Sequence, residues 1–110
     1  MANTFKSYLA SATGTSDATV VTVAANTQTV AVGINLANIL TSQIKASVYI
    51  TSYITRGSTD YYIVKNAPIP AQGALSVLDG KIILEAADVV KVISDTGSSV
   101  DTVLSVLEIT

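Results

Sequence analysis

Thr29-Val30-Ala31-Val32-Gly33-Ile34-Asn35-Leu36-Ala37-Asn38 alternates with a period of two. Val30, Val32, Ile34 and Leu36 fall on one side of an extended chain and Ala31, Gly33, Asn35 and Ala37 on the other, which is the pattern of a half-buried strand. Ile44 to Ile54 repeats it: Ile44, Ala46, Val48 and Ile50 alternate with Lys45, Ser47, Tyr49 and Thr51. Working outward, shorter runs of the same kind predict strands at Phe5–Ala10, Thr19–Ala24, Tyr61–Lys65, Ala74–Leu78, Lys81–Leu84, Val89–Ser94 and Thr102–Ile109.

Turn signals separate these runs. They are Gly14 to Asp17, Ala25-Asn26-Thr27-Gln28, Arg56-Gly57-Ser58-Thr59-Asp60 and Asp95-Thr96-Gly97-Ser98-Ser99. Asp79-Gly80, between two predicted strands, predicts a two-residue type I′ hairpin, because that turn's twist matches the flanking strands. Ala67-Pro68-Ile69-Pro70 removes two ladder donors and is expected as extended linker carrying the chain from one sheet to the other. A single helical turn is an option at Glu85–Asp88 or across Asn35–Gln43, where the alternation blurs. Eight or nine short strands with frequent turns predict an all-β fold: one antiparallel β-sandwich domain over residues 1–110, with the jelly roll among its forms.

Composition limits what such a domain does. Hydrophobic residues make up 49% of the 110 and charged residues 13%, against about 25% charged in average proteins. Twelve serines and 14 threonines cover the surface instead. A face of hydroxyls costs little to desolvate, so it suits burial against another subunit. The six basic residues, Lys6, Lys45, Arg56, Lys65, Lys81 and Lys91, are scattered singly in a chain of net charge −2. Neither nucleic acid nor an anionic membrane is the expected partner. Met1-Ala2-Asn3-Thr4-Phe5-Lys6 lacks the basic-then-apolar order of a secretory signal, and no apolar run approaches the ~20 residues of a membrane span.

No chemistry of a familiar kind emerges. Histidine and cysteine are absent, which removes Ser-His-Asp and Cys-His devices, disulfides and thiolate metal sites. The acids Asp17, Asp60, Asp79, Glu85, Asp88, Asp95 and Asp101 lie in or beside turn signals, and only Glu108 sits on a predicted strand. Solvated turn residues are the expectation for them. Asp95 with Asp101, or Glu85 with Asp88, could supply oxygens to calcium, but neither spacing follows the EF-hand pattern. Six dispersed glycines contain no nucleotide-binding motif. The expectation is therefore a protein that is not an enzyme and holds no cofactor or metal.

Tyr49, Tyr53, Tyr61 and Tyr62 bracket the Arg56–Thr59 turn. Cross-strand pairing that fixes the hairpin register ranks first for them, contact with a protein partner second, stacking on a sugar third. Thr102–Thr110 is the candidate exposed edge strand, with Leu104 and Val106 as its partner-binding side chains.

Three stretches carry a resemblance: Val64-Lys65-Asn66-Ala67-Pro68-Ile69-Pro70-Ala71, Leu75-Ser76-Val77-Leu78-Asp79-Gly80-Lys81-Ile82 and Leu104-Ser105-Val106-Leu107-Glu108. With Ala2-Asn3-Thr4-Phe5-Lys6 and Gly33-Ile34-Asn35-Leu36-Ala37-Asn38, they resemble a family of small virion structural proteins of tailed phages, notably those infecting marine cyanobacteria. Such sequences often carry Ala-Gly-Asp where this chain has Ala86-Ala87-Asp88, which removes the residue best suited to a left-handed turn. The Thr51–Tyr61 segment is also longer than in many of them. The resemblance implies membership of a virus particle and no catalytic residues. A capsid decoration or cement protein is the leading expectation, bound to the major capsid or other virion proteins and homo-oligomeric, a trimer by analogy. The alternatives are a neck, tail or baseplate protein, and a carbohydrate- or receptor-binding module built on the tyrosines.

Overall fold

The computed structural model describes residues 3–52, 59–78 and 80–110. Among these residues there are nine strands and no helix: β1 (Asn3–Thr13), β2 (Ala18–Thr22), β3 (Gln28–Asn38), β4 (Ile44–Ser52), β5 (Thr59–Ile69), β6 (Ala74–Ser76), β7 (Ile82–Leu84), β8 (Asp88–Ser94) and β9 (Val100–Ile109). Each strand predicted from alternation is present. Glu85–Asp88 is a turn entering β8, and Asn35–Asn38 completes β3, so neither helical option forms.

The strands form two antiparallel sheets, one ordered β1-β9-β3-β6 with β7 also on β3, the other β2-β8-β4-β5. Ala74, Leu75 and Ser76 lie opposite Ala37, Leu36 and Asn35, and Ile82, Ile83 and Leu84 opposite Ala31, Val30 and Thr29. β6 and β7 thus run in one direction, end to end, along the same edge of β3. This corrects the Asp79-Gly80 hairpin: two strands pointing the same way cannot be the arms of one. Asp79 itself lies outside the described residues. With β6 and β7 counted as one interrupted strand, the order becomes that of an eight-stranded jelly roll.

The proline stretch needs a second correction. Ala67, Pro68 and Ile69 are the last residues of β5, opposite Ala46, Lys45 and Ile44. Pro68 is tolerated because β5 is an edge strand, where a missing N–H leaves no ladder bond unmade. The chain does cross between sheets immediately afterwards, as expected. Asn38, buried at the end of β3, holds that crossing: its Nδ2 donates to the carbonyls of Ser42 (2.8 Å), Ile69 (3.1 Å) and Pro70 (3.0 Å).

The core lies between the sheets. Ile34, Leu36, Leu104 and Val106 from the five-stranded sheet meet Ile44, Val48, Val90 and Val92 from the four-stranded one. β3 does not keep one face throughout. Its register shifts between Ala31 and Gly33, so Thr29 and Ala31 point inward with Ile34 and Leu36 while Val32 is left exposed. Such a bulge sets two residues against one and reverses the facing of everything beyond it.

Candidate partner-binding surface

The two outer faces differ in chemistry. On the five-stranded sheet, the pairing rows Leu9–Val103–Asn35, Ser7–Ser105–Gly33 and Phe5–Leu107–Val30–Ile83 cross β1, β9, β3 and β7. Phe5 is 79% exposed, Leu9 70% and Ile83 59%, and Val32 and Val103 are also open. Of the residues that the register places on this face, Asp101 at one end is the only ionisable one, and its Oδ1 accepts the Ala12 N–H at 2.8 Å. The result is a firm apolar plane with hydroxyls and a glycine along its middle.

The outer face of the four-stranded sheet is polar and already engaged with itself. Ser47, Tyr49 and Thr51 of β4 point outward yet are buried under neighbouring side chains. The Tyr49 hydroxyl donates to Asp17 at 2.6 Å, Thr51 to Asp60 at 2.7 Å, and the Asn66 N–H donates to Ser47 at 2.9 Å. Lys91 closes on Asp17 at 3.8 Å. Burial first, and the Asp17 hydrogen bond second, push the Tyr49 phenol well above its ordinary range.

The sequence-predicted residues fall apart accordingly. Tyr49 and Tyr62 are directly opposite on β4 and β5, their ring centroids 5.1 Å apart and tilted by 39°. Lys65 Nζ lies 4.9 Å from the Tyr62 ring centre. Tyr61 pairs instead with Ile50, whose side chain joins the core, so Tyr61 and Tyr62 point to opposite sides of the sheet. Tyr53 and the Arg56–Ser58 part of the turn lie outside the described residues. The three described rings therefore share no open plane.

Leu104 and Val106 are core residues, 0% and 1% exposed, and their strand is no edge. β9 is paired on both sides, by β1 and by β3, because the N-terminal strand adds outside it. What sequence reasoning missed is Phe5, Leu9, Val32, Ile83 and Val103. Two signals pointed to them. Val103-Leu104-Ser105-Val106-Leu107 is apolar on both faces, and Gly33 inside a strand marks the bulge that turns Val32 outward.

The acids are less uniform than turn chemistry suggests. Asp88 is fully buried at the start of β8, accepting from Ser52 Oγ at 2.7 Å and from the Glu85 N–H at 2.9 Å. Glu108 accepts from the Tyr8 hydroxyl and lies 3.7 Å from Lys6. Backbone donation from Lys45, followed by the Thr96 hydroxyl, holds the Asp95 carboxyl below its usual range. Among the described residues no three acids converge on a metal position. A shallow groove of about 550 Å3 beside Gln28, Glu85, Ala86, Ile109 and Thr110 has Glu85 as its one acidic side chain. No helix of the described residues is long and apolar enough to cross a membrane. Compared with known protein families and with curated proteins, the chain matches none.

Proposed function

We propose that this protein is a non-enzymatic structural component of a tailed-phage virion, a decoration or cement protein on the capsid exterior. The observation that carries the proposal is the outer face of the five-stranded sheet. Phe5, Leu9, Val32, Ile83 and Val103 stand open on it, with Ser7, Ser105 and Gly33 between them. Contiguous apolar surface of this kind is stabilised by contact with another protein, and the intervening hydroxyls are cheap to desolvate. A rigid sandwich laid across joints between capsid subunits gains from many weak copies acting together. Jelly rolls also build viral shells, which supports the reading by fold analogy alone. The chain's lack of histidine and cysteine is in keeping with a role in assembly.

Quantitative mass spectrometry of purified particles tests this. Hundreds of copies per virion are expected of a coat, against a small multiple of three or six for a neck or tail ring. Ile83→Glu combined with Val32→Glu, both on open strand positions, should leave the fold intact and strip the protein from particles. Absence of the wild-type chain from virions would sink the proposal.

A further inference from the structure

We infer that two copies of this chain join through β1, edge to edge, about a two-fold axis at Ser7. β1 is an edge strand with eight residues in unbroken register, Asn3 to Ala10, and among the described residues β9 alone pairs with it. The other edges are blunted. β2 has five residues and a register shift, β5 carries Pro68 and two shifts, and β6 and β7 are three residues each with an interruption between them. These are the devices by which sheets refuse further strands, and β1 between Asn3 and Ala10 has only Lys6.

The strand's own sequence selects a second copy as occupant. An isologous antiparallel pair keeps both outer faces on one side, so outward residues must oppose outward residues. Centred on Ser7, the pairing sets Ser7 against Ser7, Phe5 against Leu9, Lys6 against Tyr8 and Thr4 against Ala10. Phe5 and Leu9, the two most exposed large apolar side chains of the described residues, then cover each other twice across the axis. Lys6 gains a second tyrosine ring like the one 6.0 Å from it within the chain. Shifting the axis to Lys6 would oppose two ammonium groups. Shifting it to Tyr8 would strand Phe5 against Ser11, where the ladder breaks between Ala10 and Thr13. The join runs the two five-stranded sheets into one and makes their apolar planes continuous. It requires no virion component, so it stands or falls separately from the proposed function.

The chain has no cysteine, which makes a single introduced one a clean reporter. Opposed residues in antiparallel strands have Cα atoms about 4.5–5.5 Å apart, within the range a disulfide spans. Ser7→Cys, purified alone and mildly oxidised, is expected to become a covalent dimer. Phe5→Cys is more open, but its copies would sit roughly 14 Å apart along the strand, and it should not cross-link. Sedimentation should show wild-type dimers. Phe5→Glu with Leu9→Glu, and Phe5→Lys with Leu9→Lys, should each be monomeric, and their equimolar mixture should dimerise again. A monomeric wild type, equal cross-linking at positions 5 and 7, or no recovery on mixing would overturn the inference.

Discussion

Ala87 occupies a left-handed backbone conformation, φ 70°, in the turn that delivers Asp88 to the start of β8. Its N–H donates to Val23 at 2.9 Å and the Asp88 N–H to Glu85 at 3.0 Å, so the turn is fixed from both ends. The alanine at this position suggested that a left-handed turn had been given up; the hydrogen bonds impose it regardless. An L-residue there costs about 1–2 kcal/mol, and glycine's extra freedom in the unfolded chain takes back about 0.4–1. Ala87→Gly should therefore stabilise the protein by about 0.5–1 kcal/mol, seen as a higher urea midpoint at unchanged slope. Asn38 makes the opposite case. Its amide faces three carbonyls and its Oδ1 accepts the Leu40 N–H at 2.9 Å. Asn38→Asp would set a carboxylate among those carbonyls and should cost about 3 kcal/mol or more at neutral pH, beyond Asn38→Ala. Its carboxyl pKa would be raised in the folded state, so the loss should shrink as pH falls and the group protonates; denaturation of both variants at pH 7 and pH 4 separates them. Ala87 stood out in the sequence as a residue poorly suited to a left-handed turn, but the hydrogen bonds that hold it there did not. Asn38 did not stand out, because an asparagine at a strand end is unremarkable until the crossing chain is seen.

At the scale of strands, alternation was sufficient to locate all nine, because burial of one face is a local constraint that each segment satisfies by itself. Which strand lies beside which is a different kind of information. The Asp79-Gly80 signal could not show that β6 and β7 lie along one edge of β3 and run the same way, which is what excludes a hairpin between them. Reading β9 as an exposed edge, with Leu104 and Val106 on it, fails because a last strand looks like an edge unless the first strand is known to add outside it. Phe5 and Leu9 were legible as apolar residues of a predicted strand, but their exposure depends on nothing packing over that face. Pairing between strands also sets the pH range of stability. Tyr8 on β1 donates to Glu108 on β9, and that bond, then burial, then the Glu108 charge push its phenol up to about 12. Tyr49 on β4 is pushed up too, chiefly by burial. An unfolded tyrosine loses its proton near 10. The folded state holds both protons longer, so this stabilisation is complete below pH 10 and is lost as pH rises from there through about 12. Urea midpoints should stay level to about pH 9.5 and fall above 10, and Tyr8→Phe with Tyr49→Phe should flatten the fall.

The whole molecule is one long hairpin rolled up. β4 pairs with β5, β3 with β6 and β7, β2 with β8, and β1 with β9, each successive pair enclosing the one before. Two further pairings, β3 with β9 and β4 with β8, close the roll into facing sheets. The innermost described pair is Ser52 of β4 opposite Thr59 of β5. This topology predicts an order of events. Closing a loop costs more as it lengthens, so β4–β5 is the cheapest pair to form, and β1–β9 becomes accessible only once the inner pairs have drawn its ends together. Nearly all pairing is non-local, so refolding should be slow, in the range of milliseconds to seconds. Val48→Ala, buried on β4, should mainly slow folding, because its contacts belong to the early inner pairs. Val106→Ala, equally buried on β9, should mainly speed unfolding, because its contacts with β1 and β3 form last. Stopped-flow folding and unfolding rates of the two variants across a urea series decide between this order and its reverse. A Val106→Ala variant that folds slowly while Val48→Ala folds at the wild-type rate would mean that the outer closure nucleates the roll.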